Sequence, residues 1–270
     1  MTVTAAEERV AELEHRLGIV EDELAIRRLQ HAYGYYLDKC YYDEVVDLFD
    51  EDCEVIFIGG VYKGRAGAGR LYTGRFRSRF ADGHNGPQFG RLLDHPMLQD
   101  LIHVAPDRHT AYARFRTLMQ AGTHELAASA DAPVRQWMEG GVYENVYVNT
   151  DGTWKIKKLF YRAFWHGTFE QGWAHTPPDY VPNASVTYPE DPYGPDELLE
   201  NAPRLWPETT TLPFHYKHPV TGKEFVPDTW GRFPRRLRRS SPTFGDYLRR
   251  ALLRGPAHSL PLLTRLQPGL

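Results

Sequence analysis

Residues 25–57, AIRRLQHAYGYYLDKCYYDEVVDLFDEDCEVIF, carry the clearest structural pattern in this sequence. Apolar and aromatic side chains recur there at intervals of three and four, which predicts an amphipathic helix over about residues 21–39. A short helix follows at 41–49, with Val45, Val46 and Phe49 as its buried side. The β-rich run 53–60 then ends at Gly59-Gly60, a turn signal. Helices followed by a strand indicate the beginning of an α+β domain.

Upstream of this stretch, a further helix is predicted at residues 5–20. Its apolar stripe consists of Val10, Leu13, Leu17, Val20 and Leu24. Gly18 is expected to separate this helix from the one at 21–39. The stripe is short for a coiled coil, so docking on the chain's own domain and docking on a neighbouring subunit both fit the pattern.

Downstream, the sequence alternates between strand patterns and turn signals. A short strand at VYKG (61–64) leads into a helix that runs to about residue 80, and 81–90 form a loop. Strands are expected at 91–104, 109–121, 135–149 and 153–165, with an Asp-Gly hairpin signal at Asp151-Gly152. Helices followed by hairpin-linked strands predict an antiparallel sheet with helices on one face.

The C-terminal third has a different composition. Residues 174–230 hold eleven of the chain's 20 prolines and are rich in aromatics, which predicts an irregular strap with one short helix at 196–200. Residues 231–270 form an arginine-rich tail, for which a solvated segment or subunit contact is favoured over an acidic or nucleic-acid partner. The expected organisation is therefore an N-terminal helix (1–20), an α+β domain (21–173), the strap and the tail.

Charge and composition exclude several classes of protein. The formal net charge of −3 gives no general attraction to nucleic acid, and no apolar run is long enough to span a membrane. The N-terminal segment lacks the apolar region of a signal peptide, and Cys40 and Cys53 fit a reducing compartment. We therefore expect a cytoplasmic protein without a membrane partner. The spacing of histidines, cysteines and carboxylates predicts no metal site.

Residues 25–57, together with NVYVNTDGTWKIKKLFYRAFW at 145–165, resemble SnoaL-like and scytalone dehydratase-like members of the nuclear transport factor 2-like superfamily. The resemblance covers about residues 21–170. It implies a cone-shaped, curved antiparallel sheet packed with N-terminal helices, here with an irregular proline-rich C-terminal extension. In this superfamily the open end of the cone is a deep pocket.

The resemblance also implies a catalytic pair. Scytalone dehydratase-like members pair an aspartate at the end of the pocket helix with a histidine, and these match Asp38 and His95 here. A carboxylate bonded to one imidazole nitrogen fixes the tautomer and leaves the other nitrogen to move a proton. The alternative for Asp38 is a solvated or capping residue at a helix end. The alternative for His95 is a surface or structural histidine.

The sequence departs from the scytalone dehydratase pattern at several positions. Met119 stands where the family has a second histidine, and Phe57 stands at a pocket tyrosine. Gly141 and Tyr143 replace polar serine and asparagine positions. The water network of that enzyme is therefore not expected, and neither is its substrate.

The departures favour an apolar and aromatic pocket. Expected substrate-binding residues are Phe57, Arg91, Met119, Tyr143 and Tyr161, although most such side chains simply fill cores. Other inward candidates are Phe115 and Leu159, and further polar candidates are Glu139 and His166. Tyr33 is the preferred catalytic tyrosine, with Tyr35 and Tyr36 as competitors.

These features together predict a cofactor-independent lyase that acts on an aromatic, phenolic small molecule. The segment LPFHYKHPVTGKEF (212–225), with the domain layout and the long tail, is similar to the diarylpropane lyases of sphingomonads, which act on lignin-derived diaryl diols. This resemblance implies a dehydration or a deformylation through a quinone methide. The alternatives are an isomerase or cyclase of the same fold and a non-catalytic binding or scaffold protein. A homo-oligomer, dimer or trimer, is expected because helices cover only one face of the sheet and the other face is exposed unless a second subunit packs on it.

Overall fold

The computed structural model describes residues 4–200, 204–209 and 211–225. The predicted arginine-rich tail at 231–270 lies outside the described residues. Among the described residues, no helix is both long enough and apolar enough to cross a membrane.

Helix α1 is one continuous helix from Ala5 to Asp38. It begins at a capping box in which the Thr4 side chain accepts from the Glu7 backbone N–H and the Glu7 carboxylate accepts from the Thr4 backbone. The predicted break at Gly18 is wrong. A Cβ at this position would lie 2.1 Å from a guanidinium nitrogen of Arg108, so the glycine lets that side chain cross the helix without interrupting it.

The other helices are short. They are α2 (Tyr42–Asp47), α3 (Gly64–Gly69), α4 (Arg77–Phe80) and α5 (Gly172–His175), with a π-helical turn at Arg70–Phe76 joining α3 to α4. The predicted helix to about residue 80 is thereby confirmed. The helix expected at 41–49 ends earlier, because Phe49 already begins the first strand and is fully buried there.

Among the described residues, eight strands form one sheet. They are β1 (Phe49–Phe57), β2 (Gly60–Lys63), β3 (Arg91–Asp94), β4 (Met97–Val104), β5 (Thr110–Thr123), β6 (Arg135–Thr150), β7 (Thr153–Thr168) and β8 (Glu197–Leu198). The order is β3-β5-β6-β7-β1-β2-β8, and β4 also pairs with β5. The sheet is antiparallel except that β1 runs parallel to β7. The expected fold class, a curved antiparallel sheet packed with an N-terminal helix, is confirmed.

Alternation along the strands defines an inner face that carries the core. Odd-numbered residues of β5 from Ala111 to Thr123 are buried, and the paired register places Phe115 beside Tyr143 and Tyr143 beside Tyr161. Helix α1 packs over this face, where Gln30 contacts the Asn145 side chain. The predicted single strand at 91–104 is interrupted at His95-Pro96, since proline has no N–H to donate to the ladder.

The described part of the strap follows the surface of the domain. The helix predicted at 196–200 is wrong: Glu197 and Leu198 form β8, which extends the sheet beside β2. Further on, the ring of Phe214 lies against the guanidinium of Arg114, and His215 bonds to Glu144. Arg114 and Glu144 project from the outer face, so residues 213–215 cover part of the face for which a neighbouring subunit was expected.

A candidate active site at the end of helix α1

Asp38 and His95 are brought together by the packing of α1 on β3 and β4. Asp38 is the last residue of α1, and His95 lies in the two-residue break between the strands. One carboxylate oxygen, Oδ1, lies 2.8 Å from the His95 backbone nitrogen and 2.9 Å from the imidazole Nδ1. The two side chains are only 11% and 9% exposed, respectively. The pair predicted from the resemblance is therefore present as a physical contact.

This geometry determines which imidazole nitrogen of His95 carries the proton. The Asp38 carboxylate accepts the Nδ1–H of His95, which holds the ring in the tautomer with a lone pair on Nε2. Within the described part of the chain, Nε2 makes no hydrogen bond. The second bond, from the His95 backbone N–H, fixes the carboxylate relative to the ring. The arrangement can accept a proton at Nε2 and stabilise the imidazolium that results.

A cavity of about 670 Å³ lies beside the aspartate. The residues that line this cavity include Asp38, Arg79, Arg91, Arg135 and Trp137. This volume is within the usual range for small-molecule sites. The lining is more charged than the sequence predicted, because arginines from three different elements converge on it.

The aromatic side chains inside the cone pack against one another. The Tyr33 ring lies 5.7 Å from that of Tyr143, and the Tyr143 ring lies 4.8 Å from that of Tyr161. The Tyr33 and Tyr72 hydroxyls are 2.9 Å apart. Phe57 stacks on Tyr161 at 5.7 Å. These residues form a continuous aromatic cluster, defined here as Tyr33, Phe57, Tyr72, Tyr143 and Tyr161.

Burial keeps the hydroxyls of this cluster protonated. Desolvation raises the pKa of Tyr33 to about 12, and the negative charge of Asp38 also raises it. Desolvation raises the pKa values of Tyr72, Tyr143 and Tyr161 well above 10. At neutral pH these groups therefore act as hydrogen-bond donors and as weak acids, and they do not act as bases.

A second buried acid–histidine pair lies at the far end of the cluster. The Tyr161 hydroxyl donates to Glu139 Oε1 at 2.5 Å, and Glu139 Oε2 lies 3.8 Å from His166 Nδ1. His166 Nε2 lies 3.4 Å from the Pro177 carbonyl oxygen. Glu139 and His166 therefore contact each other only loosely, whereas Asp38 and His95 are tightly bonded. Among the described residues, no three His, Cys, Asp or Glu side chains are arranged to bind a metal ion.

The predicted site residues thus fall into two groups. Arg91 lines the cavity with Asp38, and it donates to Thr123 Oγ1 at 2.9 Å. Phe57, Tyr143 and Tyr161 belong to the aromatic cluster, and Met119 is buried opposite Glu139 in the β5–β6 register. Tyr33 is fully enclosed, whereas Tyr35 and Tyr36 are exposed, so only the first belongs to the interior.

Sequence analysis missed Arg79, Arg135 and Trp137 at the cavity and Tyr72 in the cluster. Alternation on β6 carries a signal for two of them, because 135, 137 and 139 share one face of a strand. The pattern gives no comparable signal for Arg79 or Tyr72. Their positions depend on how the helical segment 64–80 folds over the sheet.

The SnoaL-like domain model matches residues 19–159, which is more than half of the chain. The chain belongs to the SnoaL-like family. Members of this family have the nuclear transport factor 2-like fold, in agreement with the architecture described above. No curated protein matches the chain.

The chain is also similar to solved structures at low sequence identity. A protein described as a candidate scytalone dehydratase from Novosphingobium aromaticivorans DSM 12444 is 24% identical, with 58% of this chain and 91% of that chain covered and a TM-score of 0.43. The hexachlorocyclohexane dehydrochlorinase LinA-type3 from Novosphingobium barchaimii LL02 is 20% identical, with 57% and 92% covered and a TM-score of 0.45. The chemistry of this SnoaL-like protein has to be argued from its own site.

Proposed function

We propose that this SnoaL-like protein is a cofactor-independent lyase that acts on a phenolic aromatic small molecule by general acid–base catalysis. The observation that carries the proposal is the bonded pair of Asp38 and His95. A histidine held by a carboxylate, with its second nitrogen free, is the arrangement needed to move a proton at neutral pH. The cavity beside Asp38 supplies room for a small molecule, and of the pair Asp38 lines it and His95 does not.

In a dehydration, His95 Nε2 takes the proton from the substrate, and the carboxylate of Asp38 stabilises the imidazolium. The same proton, or one from a neighbouring hydroxyl, is then given to the leaving hydroxyl group, which departs as water. The electron pair left by the removed proton forms the new double bond. No oxidant or reductant is needed, so the two side chains are sufficient for the proton transfers.

A diaryl diol with a phenol para to the benzylic alcohol gives a variant of this reaction. Loss of the phenolic proton and of the benzylic hydroxide, together one molecule of water, produces a quinone methide. Deprotonation of the terminal hydroxyl then releases formaldehyde by carbon–carbon cleavage, and the electrons of that bond restore the phenol and form a stilbene. Both steps are redox-neutral. Each requires one base and one acid, and His95 supplies both in turn, as the imidazole and then as the imidazolium that Asp38 stabilises.

The test is turnover of a panel of phenolic diaryl diols by the intact chain, followed by chromatography of the stilbene and by a formaldehyde assay. Asp38→Asn and His95→Gln should each lower the rate by at least about 100-fold, the usual scale of general acid–base help. Asp47→Asn is the matched control, because Asp47 is exposed at the end of α2. Wild-type rates in both dyad variants would refute the assignment.

Two other outcomes discriminate the alternatives. Deuterium uptake from solvent into a recovered or rearranged substrate, without loss of water or formaldehyde, indicates an isomerase or cyclase. Ligand binding that survives both dyad substitutions, with no turnover of any panel member, indicates a binding protein. Homo-oligomerisation and a cytoplasmic location remain predictions from the sequence.

A further inference from the structure

Two arginines of the cavity have charges that no described acid compensates. Arg79 makes no hydrogen bond or ion pair with the described residues, and Arg135 donates only its Nε–H, to the Tyr180 hydroxyl at 2.8 Å. By contrast, Arg91 lies 3.5 Å from Asp82 Oδ1. Arg79 is an exposed residue at the rim of the cavity, and it lines this cavity together with Arg135. Desolvation, followed by the positive charge of Arg135, lowers the pKa of Arg79.

The position of Arg135 is fixed by aromatic rings. Its guanidinium carbon lies 4.4 Å from the centre of the Trp137 ring and 4.9 Å from that of Tyr180. Contacts of this kind hold a guanidinium in place while leaving its terminal nitrogens free to donate. Phe80 and Trp137 also line the cavity, which adds apolar surface beside the two cations.

None of the described acidic side chains that line the cavity pairs with Arg79 or Arg135. Asp38 uses Oδ1 for His95, Asp82 faces Arg91, and Asp131 is exposed. A planar anion that accepts hydrogen bonds from guanidinium groups would satisfy the unused donors. Carboxylate is the anion that an aromatic metabolite most simply carries.

We propose that the substrate of this site is an aromatic carboxylate whose carboxyl group is held by Arg79 and Arg135. The inference rests on the proposed function for the chemistry at Asp38 and His95, and it adds the class of substrate. The carboxylate end of the molecule lies at the arginine side of the cavity. Its ring lies against Trp137 and extends toward the dyad.

The test compares 4-hydroxybenzoate with its methyl ester by calorimetric titration of the intact chain. The wild-type protein should bind the acid about tenfold more tightly than the ester, and Arg79→Gln or Arg135→Gln should abolish that preference. Arg116→Gln is the matched control, because Arg116 is exposed on β5. Equal affinity for the two compounds, or binding of neither, overturns the proposal.

The two proposals fail separately. Preference for the acid in the wild type and in Asp38→Asn, with no turnover of any aromatic substrate, would sustain the anion site and refute the lyase. Turnover that depends on Asp38, with no preference for the acid, would have the opposite meaning.

A second inference concerns the first half of α1, which projects from the domain. Every residue from Thr4 to Leu17 is exposed, and Gly18 is the first buried residue of the helix. At 1.5 Å per residue this arm is about 20 Å long. A helix of this length is marginal in water without a packing partner.

The exposed apolar stripe of the arm has coiled-coil spacing. Val10, Leu13, Leu17, Val20 and Leu24 are separated by three, four, three and four residues, and they are 41–58% exposed. They lie within roughly 80° of one another around the helix. Gly18, Asp22 and Ile26, which face the domain, lie about 120° or more from the centre of the stripe. The stripe is therefore a short a/d seam, about two heptads long, that continues past the arm to Leu24 and points away from the domain.

Charges beside the seam specify the partner. If Val10 is an a position, Arg9 and Arg16 occupy g positions, and Glu14 and Glu21 occupy the following e positions. In a parallel pair of identical helices, each g residue faces the e residue five positions later on the other chain. Arg9 then faces Glu14, and Arg16 faces Glu21. An antiparallel pair would instead set like charges against each other.

We infer that the arm forms a parallel coiled coil with a second copy of this chain. The C-terminal half of α1 is already anchored on the sheet, so association does not have to nucleate the helix. This contact is distinct from a dimer formed through the outer face of the sheet, and each can be tested without the other.

The test is oxidative cross-linking of Leu13→Cys, since residue 13 faces its own copy only in a parallel pair. His15→Cys is the matched control on the opposite side of the helix. Cys40 and Cys53 are buried and do not compete. Leu13→Cys should cross-link, and His15→Cys should not. Equal yields from the two variants overturn the inference.

Charge reversal provides an independent test. The double variant Arg9→Glu/Arg16→Glu should self-associate at least tenfold more weakly in sedimentation experiments at low salt. Mixing it with Glu14→Arg/Glu21→Arg should restore association. Unchanged self-association of the first double variant would refute the parallel register.

Discussion

Removal of the Asp38 carboxylate tests the site through stability, without a substrate. Oδ1 accepts one hydrogen bond from the His95 backbone at 2.8 Å and one from the ring at 2.9 Å, and both partners are largely buried. Hydrogen bonds to a charged acceptor contribute about 1.5–3 kcal/mol each, and a buried donor left without an acceptor costs a similar amount. Because the two bonds share one oxygen, we expect Asp38→Ala to lower the free energy of unfolding by about 2–4 kcal/mol.

Asp38→Asn separates the two contributions. Its amide oxygen can still accept the backbone N–H of His95, so about half of the loss is expected, roughly 1–2 kcal/mol. Asp47→Ala, at an exposed carboxylate, should change stability by no more than about 0.5 kcal/mol. The order of stability should therefore be Asp47→Ala, then Asp38→Asn, then Asp38→Ala.

The assay is urea denaturation followed by circular dichroism, with the denaturant slope checked to be constant across the variants. A double-mutant cycle with His95→Ala isolates the contact between the side chains, and a coupling of about 1–2 kcal/mol is expected. If Asp38→Ala is as stable as Asp47→Ala, or if the cycle shows no coupling, the dyad does not hold the end of α1 as described.

Two further predictions concern the helix and the aromatic cluster. Gly18→Ala should destabilise the protein by about 1 kcal/mol in urea titrations, since the added Cβ displaces Arg108 from Asp22 and outweighs the gain in helix propensity. Gly69→Ala, where a Cβ has its nearest contact at 3.7 Å, should instead stabilise it; the same sign for both would contradict the account. The raised pKa of Tyr33, about 12 against an ordinary 10, predicts stability that is intact below pH 10 and lost as pH rises toward 12. Tyr33→Phe should flatten that part of the profile measured by urea unfolding, and an unchanged slope would argue against it.

Much of the fold was predictable because it depends on local periodicity. The helix before Asp38 and the strands at 109–121, 135–149 and 153–165 follow from spacing and turn signals, and the structure has them within a few residues. The errors arose where a distant side chain or strand intervened. Gly18 does not break the helix, and the absence of a side chain there leaves room for Arg108 to cross it. Glu197–Leu198 form a strand because they pair with the edge of β2.

The fold class and, through the family resemblance, the pairing of Asp38 with His95 could be predicted from the order of the amino acids. What surrounds the pair depends on tertiary packing. Arg79 and Arg135 reach the same cavity from a short helix and a distant strand, and the aromatic rings inside the cone fill space against one another. Periodicity specifies which face of an element is buried, because it reports local backbone geometry. It carries no information on which buried faces meet, since that depends on packing between residues far apart in the chain.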